Sequence, residues 1–280
     1  MKHLLFTIAT LAAAWSAAAQ SRTETFTVES TLLGREKTCS VYLPHGYDHS
    51  ERPYPVLYLL HGASGCHTDW LELGNARQIL DEAIAEGRAV PMVVVMPDAS
   101  GDGEYRMGPH MGYFDQPGWP YERFFFEELL PAVERHYRIA GDKSDRAIAG
   151  LSMGGGGATV YAQHHPELFA AACPISALLT IDDGRLRQEE FAASVDATSP
   201  LRRLESLSDD EAEALRTVRW RVDCGDDDYL WEGNVRFYTL MRKRNIPLEF
   251  RMRDGGHTWR YWQTALPEIL TFVSAGFDRK

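Results

Sequence analysis

Gly150-Leu151-Ser152-Met153-Gly154 has the form G-x-S-x-G. A serine hydroxyl is a weak nucleophile at neutral pH. Chemistry at it needs a base within hydrogen-bond reach, an acid that orients the base, and donors aimed at the developing negative charge. The surroundings of Ser152 suit that chemistry. Arg146–Ala149 ahead of it is a short, mostly apolar run that reads as a strand, and Gly155–Gln163 behind it is small and helix-compatible. Strand, sharp turn and helix together form the context that lifts a serine above a sheet edge. The helix opening at the turn also points unpaired N–H groups toward the site.

His257 is the candidate base. It lies in Asp254-Gly255-Gly256-His257-Thr258-Trp259, a glycine turn after the strand-like run Leu248–Met252. The chain order Ser, Asp, His then asks for a carboxylate between the two. Cys224-Gly225-Asp226-Asp227-Asp228-Tyr229-Leu230 offers three. Asp228, farthest out on the turn, is the first choice and Asp226 the second. Helix N-capping is the competing use of Asp227 or Asp228. Calcium ligands alternate along their loops, so three adjacent aspartates do not make one. No metal or cofactor is implied. The expected oxyanion donors are backbone N–H groups of Met153 and of Ala63, in His61-Gly62-Ala63-Ser64-Gly65. His61 itself reads as a buried histidine bracing that loop. His164-His165 sits at a helix end, where imidazole suits the dipole.

The elements that must position these residues follow from periodicity. Thr23–Glu29 and Lys37–Leu43 alternate, as half-wet antiparallel strands do. Tyr54–Leu60, Met92–Met96, Arg146–Ala149, Phe169–Ile175 and Trp220–Cys224 are apolar throughout or nearly so, the mark of strands covered on both faces. Helical spacing falls between them, at Leu73–Ala85, Tyr121–Tyr137, Tyr229–Arg244 and Trp259–Ala275. Pro131 predicts a kink or a fresh helix start inside the second of these. This alternation predicts an α/β fold: a mostly parallel sheet with an antiparallel N-terminal edge and helices on both faces. Ser152, His61, Asp98, Asp228 and His257 all follow strand-like runs and can meet at one sheet edge. Ala99–Gly118 reads as a long loop. Residues 178–219 are charged and weakly periodic, with a capping box at Ser208 and Glu211, and read as a cap or lid insertion.

Residues 1–19 combine a basic start, an apolar run from Leu4 to Trp15 and the small residues Ala17-Ala18-Ala19. That is the pattern of a cleavable signal peptide, leaving residues 20–280 as one catalytic domain in a secreted or periplasmic setting. The formal net charge is −11, which argues against nucleic acid and anionic membrane as partners. Four cysteines, Cys39, Cys66, Cys173 and Cys224, show no metal spacing. Cys173 and Cys224 could lie close enough to bridge, but four buried thiols is the expectation for a domain of this size.

Leu60-His61-Gly62, Gly150-Leu151-Ser152-Met153-Gly154-Gly155, Cys224-Gly225-x-x-Asp228-x-Leu230 and Gly255-Gly256-His257-x-Trp259 resemble the motifs of the esterase D-like, or putative esterase, branch of the α/β-hydrolases. The similarity runs from about Thr23 to Phe272. It implies a nucleophile at Ser152, an acid at Asp228, a base at His257 and oxyanion donors at Ala63 and Met153. The branch includes S-formylglutathione hydrolases, feruloyl and acetyl-xylan esterases of carbohydrate esterase family one, and mycolyltransferases. The charged segment at 178–219 is longer than the family pattern. A secreted setting disfavours glutathione chemistry and favours removal of feruloyl or acetyl groups from plant polysaccharide such as xylan. Trp231, Trp259 and Tyr113 are candidate aromatic substrate contacts. An acyltransferase with the same triad and a non-catalytic carbohydrate-binding protein are the rival readings.

Overall fold

The computed structural model describes residues 20–101, 112–180, 193 and 196–277. These residues form an eight-stranded sheet and a separate two-residue hairpin pair. In chain order the strands are β1 (Arg22–Ser30), β2 (Arg35–Leu43), β3 (Val56–Leu60), β4 (Val93–Pro97), the hairpin pair β5 (Asp115–Gln116) and β6 (Trp119–Pro120), β7 (Arg146–Leu151), β8 (Ala171–Ile175), β9 (Arg219–Gly225) and β10 (Leu248–Arg253). The large sheet runs β1-β2-β4-β3-β7-β8-β9-β10. β1 pairs antiparallel with β2, and β2 antiparallel with β4. From β4 to β10 every pairing is parallel. This is the mostly parallel, antiparallel-edged sheet expected from the alternating pattern, and it fits the α/β-hydrolase fold that the resemblance implies.

Successive residues of the inner strands feed two cores. Val56, Tyr58, Leu60, Val93, Val95 and Ile148 point into one layer, with helices Met153–His164 and Trp231–Lys243 above them. Leu57, Leu59, Val94, Met96, Ala147 and Ala149 point into the other, covered by helices Ala76–Ala85 and Trp259–Ser274. That is why these strands read as continuous apolar runs: each has two faces to bury and none to wet.

Beyond shifts of one or two residues at element ends, three segments differ from the sequence reading in internal structure. The helix expected from Leu73 starts at Ala76, because Asn75 takes a left-handed φ of 51° and breaks the spacing; a short helix, Asp69–Glu72, precedes it. The Tyr121–Tyr137 helix is helical at both ends, but a wide π turn spans Phe125–Leu129 in its middle. Pro131 sits at the start of the second helical part, where its missing N–H removes a rung of the ladder. The loop from Ala99 carries the β5–β6 hairpin in its described part.

The described part of 178–219 is built into the domain. Helices Pro200–Ser206 and Asp209–Arg216 bury Leu201, Leu204, Ala212 and Leu215 in the first core layer, and Ser208 and Glu211 form the expected capping box. Residues 181–192 and 194–195 of this segment lie outside the described residues, as do residues 1–19, where a signal peptide is expected. All four cysteines are free and buried, so Cys173 and Cys224 form no bridge. Among the described residues no helix is long and apolar enough to cross a membrane. Because Leu204 is fully buried, Leu204→Ala should destabilise the fold by about 2–5 kcal/mol in denaturant unfolding. A change near zero would mean that this helix is a detachable cap.

Candidate active site

β7 ends in a bend that few residues accept. Ser152 has φ 55° and ψ −119°, a positive φ on a residue with a side chain. Its N–H donates to the Ile175 carbonyl at 2.9 Å, and its own carbonyl accepts from Leu178 at 2.9 Å and Gly156 at 3.0 Å. The strained turn is therefore held on both sides by its neighbours. The flanking glycines are required by close approach. A Cβ at 150 would run into the Gly154 carbonyl, and one at 154 would come within 2.5 Å of the His61 carbonyl.

Three side chains from three strand ends meet here. His257 Nε2 lies 2.9 Å from Ser152 Oγ, and His257 Nδ1 lies 2.9 and 3.0 Å from the two carboxylate oxygens of Asp228. Asp228 is fully buried and also accepts from the Leu230 N–H at 2.9 Å. Burial alone would push its carboxyl up. The His257 ring, the Ser176 hydroxyl and the Leu230 N–H outweigh that and hold it below the ordinary range. A carboxylate kept charged in this position fixes the imidazole with Nδ1 protonated and Nε2 free to accept from serine.

Asp226, the second-choice acid, is exposed and accepts from the Gly255 N–H at 3.2 Å. Asp226, Asp227 and Asp254 form an exposed acidic cluster beside the site. His257 pairs with Asp228, one turn deeper.

The loop after β3 lies against the elbow. A Cβ on Gly62 would come 3.5 Å from Ser152 Cβ. Ala63 is exposed there, Ser64 has φ 64°, and Gly65 closes the turn onto the Gly62 carbonyl at 3.2 Å. His61 braces this loop. Its Nδ1 donates to the Gly62 carbonyl at 2.7 Å and its Nε2 accepts from the Ala99 N–H at 2.9 Å. Burial lowers its pKa despite nearby Asp98, so the ring stays neutral, as that bond pattern requires. Met153 opens the elbow helix, where its N–H has no acceptor within the helix.

The aromatic candidates divide. Tyr113 does not fit the expectation of a substrate contact. It is fully buried, its oxygen accepts from the His61 N–H at 2.9 Å, and its ring packs on Tyr121 and Tyr161. Phe114 and Trp119, from the same loop, are buried with it. Trp259 is half-buried, edge-on to Trp70 and Trp262. Trp231 is 41% exposed at the first turn of the helix after Asp228. His164 is away from the site and pairs with Glu122 at 2.6 Å. Sequence reasoning missed Ser176 and Tyr229. Ser176 follows β8 at the same sheet edge as Ser152, which is the positional signal that could have found it.

Residues 30–273 match the putative esterase family. The chain belongs to that family. A solved ferulic acid esterase is similar along almost the whole length: 43% identical, with a TM-score of 0.88, covering 92% of this chain and 99% of that one. An endo-1,4-beta-xylanase/feruloyl esterase of Xylanibacter ruminicola is 38% identical over 149 residues, which is 52% of this chain and 20% of that protein. An esterase of Mycobacterium tuberculosis is 28% identical over 259 residues, 83% of this chain and 55% of its own length. The chain thus spans about half or less of these two curated relatives. A ferulic acid esterase of Anaeromyces mucronatus, 20% identical with a TM-score of 0.72 over 93% of each chain, shares the fold of this esterase family member.

Two outcomes follow for the site. The Asp228 pKa is depressed, so its stabilising contribution is complete above the ordinary value of 3.8 and fades as pH falls through its lower native value. Wild type should therefore exceed Asp228→Asn in unfolding free energy at neutral pH, with the gap closing in strong acid; a gap that is constant with pH would contradict the assignment. Gly150→Ala should lower stability by about 1–3 kcal/mol in thermal or denaturant unfolding, because the new methyl meets backbone that cannot retreat.

Proposed function

We propose that this protein is a serine esterase that hydrolyses carboxylic esters through an acyl-enzyme, with feruloyl or acetyl groups on plant polysaccharide such as xylan as its substrates. The hydrogen-bonded chain from Ser152 through His257 to Asp228 carries this reading. The likeness to a ferulic acid esterase at 43% identity supports the substrate class.

In this mechanism Ser152 Oγ attacks the ester carbonyl carbon while His257 Nε2 takes the hydroxyl proton. Asp228 stays ionised and stabilises the imidazolium that forms. The carbonyl oxygen becomes an oxyanion held by the backbone N–H groups of Ala63 and Met153. The intermediate collapses, His257 returns the proton to the departing alcohol oxygen, and the acyl group stays on Ser152. Water then enters, gives a proton to His257 and attacks the acyl carbon. A second collapse releases the acid and restores the serine hydroxyl. Every proton moved belongs to serine, water or the product alcohol, so the cycle balances without an added cofactor. Of the candidate aromatic contacts among the described residues, the exposed Trp231 and half-buried Trp259 are placed to take a sugar or a phenolic acyl group. Residues 1–19 direct export, and N-terminal sequencing of the exported protein should begin at Gln20.

A panel of methyl ferulate, acetylated xylan and short nitrophenyl esters tests this reading. Wild type should cleave the feruloyl or acetyl substrates, and Ser152→Ala should lose about 10⁴-fold or more of that rate. Asp228→Asn should be severely impaired and Asp226→Asn near normal. An unchanged rate in Ser152→Ala would remove the basis for the proposal.

A further inference from the structure

Asp228 holds one end of the His257 ring and Ser152 meets the other. Neither hydrogen bond stops the ring from tilting about the line between them. Two aromatic rings press on the imidazole from elsewhere. Tyr229 packs with its centroid 4.5 Å away at an interplanar angle of 45°, and Trp262 lies 4.9 Å away at 89°. They come from different elements: Tyr229 follows the acid in the turn after β9, and Trp262 lies on the helix after the base.

Each ring has a reason to be where it is. Trp262 is anchored at both sides. Its Nε1–H donates to Ser176 Oγ at 3.1 Å, and its ring meets Trp259 edge-on at 5.1 Å. Ser176 is fully buried, has a φ of 45°, and donates its N–H to the Asp223 carbonyl at 2.8 Å. An indole N–H can only donate, so Ser176 accepts from it and keeps its own hydroxyl proton for an acceptor. The Ser176 hydroxyl also helps to hold the Asp228 carboxyl below its ordinary range. The support of the base and the support of the acid thus share one serine. Tyr229 differs: it is 39% exposed, so the fold gains little from burying it. Among its contacts is the His257 ring.

We propose that Tyr229 and Trp262 are positioning residues that hold the His257 ring in line with Ser152, with Ser176 anchoring Trp262 to the acid. This rests on the hydrolytic reading of Ser152, His257 and Asp228. During turnover the base must take a proton from serine and hand it to a leaving group a short distance away. A ring free to tilt loses that alignment in both steps, and small misplacements at a reacting centre have large effects on rate.

The test uses a short nitrophenyl ester, whose small acyl group makes few contacts beyond the scissile bond, and a small fluorophosphonate that labels Ser152. Tyr229→Ala should lower kcat by about tenfold with KM within about twofold, and should slow labelling by the same factor. Tyr229→Phe should restore both, since the ring and not the hydroxyl does the holding. Trp262→Phe should lower kcat, and combining it with Ser176→Ala should lower kcat by less than the product of the two single effects, because the two share one bond. Tyr229 is exposed enough that its variants test the idea even where a Trp262 variant fails to fold. A normal kcat and normal labelling in Tyr229→Ala would overturn the proposal, as would a raised KM with kcat intact, which would make Tyr229 a wall of the substrate site. Ser152→Ala separates the two levels. If it is inactive while the ring variants are normal, the positioning role alone fails; if it still turns over ester, the hydrolytic reading fails with it.

Discussion

The backbone bend at Ser152 is the constraint on which the rest of this structure depends. A positive φ on a non-glycine residue is unfavourable, and it persists only where surrounding bonds over-determine it. Here the strand on one side, the helix on the other and the carbonyl of Ile175 all fix it. The glycines at 150 and 154 follow from the same bend, since strand and helix close to contact there. So does the position of the β3 loop, which reaches the serine because β3 and β7 are parallel neighbours in register from Val56 and Arg146 onward. Asp228 and His257 arrive by the same logic, from the ends of β9 and β10, paired in register at the far side of β8.

A second layer of polar structure keeps the β9 and β10 ends in place. Asp223 is fully buried and receives Tyr261 Oη–H at 2.7 Å and an Arg253 guanidinium. Arg253 and Arg221 both reach Glu268 on the last helix. A buried carboxylate is tolerable only when it is paired and hydrogen-bonded, as this one is. The loop from Asp254 to Thr258, which carries His257, leaves the sheet directly after Arg253. The base therefore rides on a segment whose root is held by charge and whose far end is capped by the Thr258 side chain on Tyr261.

Much of this was legible in the sequence, for identifiable reasons. Strands buried on both faces have a strong signature, so the parallel sheet could be read from Tyr54–Leu60 or Phe169–Ile175 alone. Ser152, Asp228 and His257 could be read as neighbours because each follows a strand-like run at the same sheet edge, in the chain order that the expected chemistry demands. His61 could be read as a brace because it stands between a buried strand and a glycine-containing loop; its Nδ1 reaches the Gly62 carbonyl, and its Nε2 reaches Ala99 from another loop. What was not legible depends on tertiary packing. Tyr113 sits in a glycine-rich stretch that reads as an exposed loop, yet it fills a space against Gly157 and Tyr161 that no local pattern reveals. The segment at 178–219 reads as a cap because its charges dominate its composition, while a few leucines seat its described helices in the core. Ser176 carries no motif at all. Its role comes from standing where β8 ends, between an indole and a carboxylate contributed by other elements.

The four unpaired thiols have a consequence for where such a chain can work. Burial pushes Cys39 up to about 12 and Cys173 and Cys224 higher still, so they remain protonated and slow to exchange. No covalent cross-link contributes to holding the described fold together. Forming this fold requires no disulfide, and reductant in the surroundings has no such bond to attack. The domain is thus indifferent to redox potential, and an anaerobic medium and an aerated one should find the same folded molecule in it.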